Sequence, residues 1–169
     1  MPRTPGVGRA SGDLLGERAA AGSDSDGALH STGILPSQEI EYLIRASKEI
    51  VALEAIEGEQ IQPASLDLRL GNVAYRVRAS FLPGRNARVQ DRLADLEMHK
   101  MDISEGAVLE RGCVYIVPLL EALALKKRTS AMGNPKSSTG RLDVFTRLIT
   151  DYGTEFDRVR EGYNGPLYA

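Results

Sequence analysis

The chain has 169 residues, 42% of them hydrophobic and 26% charged, with 21 basic against 23 acidic side chains and a formal net charge of -2. That length and balance suit one domain with a real core, and the near-neutral charge supplies no global field to draw nucleic acid or an anionic membrane. A single cysteine, Cys113, excludes an internal disulfide framework, the isolated His30 and His99 leave no Cys/His zinc set, and no apolar run nears the roughly 20 residues of a membrane span.

Residues 1–31 are rich in Gly, Ala, Ser and Asp, with few bulky apolar side chains to offset ordering entropy, so a disordered extension is expected before a domain at 32–169. Without an apolar signal core the expected location is the cytoplasm. Pro36 and Ser37 supply a stop and a cap, Glu39 suits a first turn, and Ile40, Leu43 and Ile44 share one face of a short helix. Leu66, Leu68 and Leu70 then alternate with Asp67 and Arg69 up to a Gly71-Asn72 turn, and Val73, Tyr75 and Val77 continue as a second strand. Residues 84–103 are polar with charges of both signs, which suits a short helix set in a loop. Residues 106–125 read as strand, Arg111-Gly112 turn, strand and a further apolar run, with Cys113 a small buried hydrophobe. In residues 142–149, Leu142, Val144 and Leu148 oppose Asp143, Phe145 and Arg147, the alternation of one more strand. Turn signals recur at roughly 8 to 15 residues, so the fold class is mostly β, a jelly-roll or sandwich with a short N-terminal helix.

The polar run "NPKSSTGR", residues 134–141, carries two cations and three hydroxyls within six residues. Its plain reading is a solvated turn. Its functional reading is a phosphate clasp, with Lys136 and Arg141 supplying charge, Ser137, Ser138 and Thr139 donating, and Gly140 permitting close backbone approach. It lacks the order of a Walker loop, and no helix is expected there to lend its dipole.

"PASLDLRLG" (63–71), "KSSTGR" (136–141) and "GYNGPLYA" (162–169), in this order, resemble the dCTP deaminase branch of the dUTPase superfamily, and from about residue 34 onward the first half of its long, two-part bacterial members. The resemblance implies a dUTPase-like β domain, truncated here before its closing strands, a homotrimer with nucleotide sites between subunits, and dCTP as substrate. It implies that Lys136, Ser137 and Ser138 hold the triphosphate, with Mg²⁺ bound through the phosphates and no zinc. Lys136 stands where the family more often has Arg, which keeps the charge and loses the bidentate fork. Ser137 is implied to order the attacking water and Arg141 to lie beside the ring, which makes these two the catalytic candidates. Tyr168 and Ala169 correspond to residues whose backbone reads the pyrimidine, and the residue at position 160 to one that contacts the sugar.

The implied reaction, part of pyrimidine deoxynucleotide metabolism, converts dCTP to dUTP and ammonia by water attack at C4. The sequence lacks the H-x-E and P-C-x-x-C signature of zinc deaminases, so the resemblance asks for a carboxylate as proton shuttle, worth about 10² to 10⁴ in rate, at the position after Ala169. On that basis this chain alone is expected to bind without turnover. Asp151, Glu155, Asp157 and Glu161 lie nearby in sequence and read as solvated surface acids. Two alternatives are a non-catalytic nucleotide-binding fragment and a dUTP diphosphatase. The latter needs an Asp two residues before the glycine of G-Y-x-G, where Arg160 stands, and a guanidinium cannot accept a proton.

Overall fold

A computed structural model of the chain describes residues 33–169, so the expectation for residues 1–31 lies outside the described residues. Pro36 has no N–H to orphan, and its extended backbone (φ -74°, ψ 166°) starts helix α1 (Ser37–Arg45). Ser37 makes no side-chain cap and is instead the first helical residue, which corrects the role expected of it. Glu39 in the first turn and Arg45 in the last complement the helix dipole, while Ile40 is buried and Leu43 and Ile44 pack against the core.

Strand β1 (Ile50–Ala52) leads through a single 3-10 turn at Gly58–Gln60 to the short hairpin of β2 (Ile61–Gln62) and β3 (Ser65–Leu66). Next come β4 (Val73–Val77), helix α2 (Val89–Leu96) and β5 (Glu97–Asp102). The apolar run supplies β6 (Val114–Ile116) and β7 (Pro118–Ala124), followed by β8 (Ala131–Met132) and the one-turn helix α3 (Ser137–Gly140). Last are β9 (Ile149–Thr150), β10 (Arg158–Val159) and β11 (Asn164–Tyr168).

The pairings among these strands are antiparallel, in a four-stranded sheet ordered β1-β7-β11-β9, a three-stranded sheet β5-β4-β6, and the pairs β8-β10 and β2-β3. The fold is mostly β, as its patterning indicated. One apolar cluster gathers Ile40, Leu123, Leu125, Val159, Tyr163 and Leu167, and a second joins Val77, Val89, Leu93, Ile116, Ile149 and Tyr168. Helix α2 closes the second cluster, which is why Val89 and Leu93, four residues apart, are its two buried positions.

Several expected strands are shorter or missing. Beyond Leu66 the alternating leucines leave the ladder, and Leu68 and Leu70 are exposed. There the chain is pinned by Glu121 and by Gly71, whose N–H donates to Pro118 O at 2.7 Å, so close that an added Cβ would meet that oxygen at 2.8 Å. Residues 106–110 form no strand before the Arg111-Gly112 turn, and Val108 and Leu109 are exposed. Cys113 is half-buried, with Sγ 3.6 Å from Glu110 Oε2, so it is not the core residue expected. Residues 142–148 form no strand either. Leu142 and Val144 are exposed, and Phe145 is 94% exposed, because Asp143 turns the backbone with φ 56° straight after α3.

Within β7 the fully buried Glu121 (0% exposed) accepts hydrogen bonds from Arg69 N (2.8 Å), Arg69 Nε (2.8 Å) and Gln60 Nε2 (3.1 Å). The same guanidinium donates to the carbonyls of Ala55 and Glu54, each at 3.1 Å. One carboxylate thus ties three irregular segments to the central sheet.

Tyr163 works similarly at the other end. Its ring lies across Gly165, where a Cβ would approach the phenol oxygen to 2.8 Å, and its hydroxyl donates to Pro166 O (2.6 Å) and accepts from Asp151 N (3.1 Å). Burial pushes this phenol up to about 12. In the unfolded chain it ionises near 10, so its contribution is fully present below that pH and is lost as pH rises toward 12. Melting temperature is therefore expected to fall between about pH 10 and 12, less steeply in Tyr163→Phe, although Tyr168, also raised by burial, retains part of the slope. An equally steep slope in the variant would contradict this assignment.

Candidate functional site

The polar run is helical, contrary to the loop expected. Lys136 occupies the N-cap with extended backbone (φ -62°, ψ 135°), and its carbonyl accepts from Thr139 N (2.9 Å) and Thr139 Oγ1 (2.6 Å), while Arg141 N donates to Ser137 O (3.2 Å). This turn needs the Thr139 hydroxyl for its own closure. The hydroxyls of Ser137 and Ser138 make no hydrogen bond among the described residues, and both residues are exposed, as are Gly140 and Arg141. Lys136 Nζ reaches across to Asp67 Oδ2 at 2.6 Å. Asp67 therefore faces the clasp, a contact hidden in sequence because the residue reads only as the polar partner of flanking leucines.

Arg160, Tyr168 and Ala169 lie elsewhere. Arg160 lines a cleft of about 310 Å³ together with Arg85, Thr150, Tyr152, Glu155 and Arg158, and no residue of 136–141 borders it. Tyr168 is buried in β11 opposite Ile149. Ala169 exchanges both of its backbone hydrogen bonds with Val117, each at 2.8 Å. The candidate residues thus fall into two groups, a surface clasp after β8 and a cleft-and-strand group around β9 to β11.

Two of the four nearby acids are not solvated surface. Asp151 is buried, and its Oδ1 accepts from Val89 N at 2.8 Å. Asp157, at φ 63°, accepts from Leu148 N (2.8 Å) and pairs with Arg147 Nε (2.7 Å). Both hold turns, and both carboxylates are engaged. Glu155 pairs with Arg158 at 3.4 Å, and Glu161 is exposed. Among the described residues no three His, Cys, Asp or Glu side chains gather to hold a metal ion, and no helix is long and apolar enough to cross a membrane.

Small antiparallel sheets, a short leading helix and an exposed cation-and-hydroxyl turn make up a mostly β domain, and its likeness to a solved dCTP deaminase is consistent with a dUTPase-like β fold. Residues 31–169 match the family model of the 2'-deoxycytidine 5'-triphosphate deaminase (DCD) N-terminal domain, and the chain belongs to that family. It is similar to the "dCTP deaminase, dUMP-forming" of Persephonella marina (strain DSM 14350 / EX-H1), 30% identical over 135 residues that cover 78% of this chain and 72% of the relative. The protein of the same description from Nanoarchaeum equitans (strain Kin4-M) is 26% identical over 151 residues, covering 79% and 70%. The crystal structure of 2'-deoxycytidine 5'-triphosphate deaminase from Agrobacterium tumefaciens superposes with a TM-score of 0.77 at 58% identity. That match covers 81% of this chain and 40% of the Agrobacterium chain, so the present chain corresponds to a part of that longer protein.

Proposed function

We propose that this domain grips the triphosphate of dCTP with Lys136, Ser137, Ser138, Thr139, Gly140 and Arg141, and that the whole protein deaminates dCTP to dUTP and ammonia. The observation that carries this reading is the clasp itself: two cations and two unengaged hydroxyls on one turn, at the surface, in a chain of the dCTP deaminase family. Hydroxyls with no internal partner are available to phosphoryl oxygens, and the ammonium of Lys136 has only the partly exposed Asp67 to leave.

In the chemistry so proposed, water adds to C4 while N3 gains a proton, and the tetrahedral centre then expels ammonia. Ser137 orders the water and Arg141 lies beside the ring. The proton shuttle is the carboxylate that the family resemblance implies at the position following Ala169 in the whole protein; Asp151 and Asp157 here are tied to backbone N–H groups. Mg²⁺ bound with the substrate triphosphate would supply charge neutralisation there. Its ligands would come from the substrate.

We take the homotrimer from the family resemblance; the clasp and Arg160 border no common cleft in one chain, which is compatible with neighbouring copies bringing the two groups together around the nucleotide. Both curated relatives carry "dUMP-forming" in their names. With Arg160 unable to act as a base, dUTP is the product we assign to this chemistry, released without further hydrolysis.

Lys136→Ala is expected to weaken dCTP binding about tenfold or more, the worth of one charge-assisted contact, as read by calorimetry. Unchanged affinity would mean that residues 134–141 are only a turn.

A further inference from the structure

Asp67 stands between two leucines in the sequence, and its backbone is anchored from both directions. Asp67 N donates to Gln60 O at 2.9 Å, and Gln60 Nε2 returns a bond to Asp67 O at 2.9 Å while also donating to the buried Glu121 at 3.1 Å. Leu66, just before it, pairs with Ile61 in the β2-β3 hairpin, and two residues after it Arg69 N is held by Glu121 Oε2 at 2.8 Å. The carboxylate therefore stands on a fixed platform. Its side chain is 33% exposed, and its partner among the described residues is the Lys136 ammonium at 2.6 Å.

Lys136 is the opposite kind of group. Its ammonium rides on a flexible four-carbon stem with 66% of the side chain exposed, so the charge it finds decides where it points. The rigid Asp67 supplies that charge from 69 residues away in sequence. A carboxylate in contact with a phosphate-binding cation repels the incoming phosphate and competes for the same donor. It can only weaken binding, which calls for a role at the site other than holding ligand.

We infer that Asp67 is a positioning residue acting through Lys136: it parks the ammonium beside the empty clasp, competes with the phosphate chain for it, and takes it back as the nucleotide leaves. This role rests on the reading of residues 136–141 as a phosphate clasp, and it adds a built-in limit on how tightly the clasp holds. The pair is partly exposed, so the competition changes affinity a few fold rather than by orders of magnitude. With the parking contact gone, a triphosphate is gripped more tightly and released more slowly.

The test is calorimetry of the whole protein with inorganic tripolyphosphate at low salt. D67N and D67A should each bind about threefold or more tightly than wild type, the reverse of what damage to the fold would do, while D67E, which keeps the charge, stays closer to wild type. The gain should shrink when D67N is made in a K136A background. With dCTP, D67N should lower KM without raising kcat. Unchanged or weaker binding by D67N and D67A, beside a K136A variant that does lose affinity, would overturn the role of Asp67 and leave the clasp standing. An equal gain in the K136A background would overturn it as well, because Asp67 would then be a bare repelling charge that does not act through Lys136. Wild-type affinity in K136A would sink the clasp itself, and the role of Asp67 with it.

Discussion

Glu121→Ala is expected to lower the stability of the domain by about 3–5 kcal/mol, the cost of leaving one partner of a buried ion pair uncompensated. Glu121 is fully buried and takes hydrogen bonds from Gln60 Nε2, Arg69 N and Arg69 Nε, while Arg69 also holds the carbonyls of Glu54 and Ala55. Truncation strands the Arg69 backbone N–H and the Gln60 amide, and frees a guanidinium that has no second buried anion. Since whole domains have about 5–15 kcal/mol of stability, the variant is expected to be close to unfolding at room temperature. Urea denaturation measures the loss. Glu121→Gln keeps the volume and one acceptor and should lose less, and a cycle with Arg69→Met should show strong coupling. A loss below about 1 kcal/mol in Glu121→Ala would mean that the network adds nothing beyond an ordinary hydrogen bond.

Ser137→Ala in the whole protein is expected to reduce ammonia release by about 10²-fold while leaving the KM for dCTP within a few fold, because a misplaced water costs rate more than binding. Lys136→Ala should do the reverse, raising KM with a smaller effect on kcat. The contrast follows from the structure of the turn. Both groups stand at the start of α3, Lys136 with its ammonium on Asp67 and Ser137 exposed with no hydrogen bond from its hydroxyl, and Thr139 alone spends its hydroxyl on the helix. If Ser137→Ala raises KM and spares kcat, the serine is a phosphate ligand and the water is held elsewhere.

Where burial alternates along a segment, the sequence showed the strand. Val73–Val77 is one, and the apolar run near Cys113 divides into β6 and β7. Leu142, Val144 and Phe145 carry the same alternation and form none, because period alone cannot tell a strand from a loop whose apolar side chains face outward. The clasp was legible as composition, Lys136 to Arg141, and its helical turn was not, since four residues are too few for a periodic signal. The partners of the site were hidden for a different reason. Asp67 and Lys136 are 69 residues apart, and Glu121 and Arg69 are 52 apart, so these pairs exist only once the strands have packed. A lone glutamate inside the apolar run of β7 was the one available hint of the second pair.

The structure of the whole protein with dCTP and Mg²⁺ bound tests the central claim most directly. The triphosphate should lie against Lys136, Ser137 and Ser138, with the ammonium turned from Asp67 toward the phosphate oxygens and the pyrimidine near Arg141. A triphosphate anchored elsewhere, with the Lys136–Asp67 pair intact and the serines facing bulk water, would contradict the account.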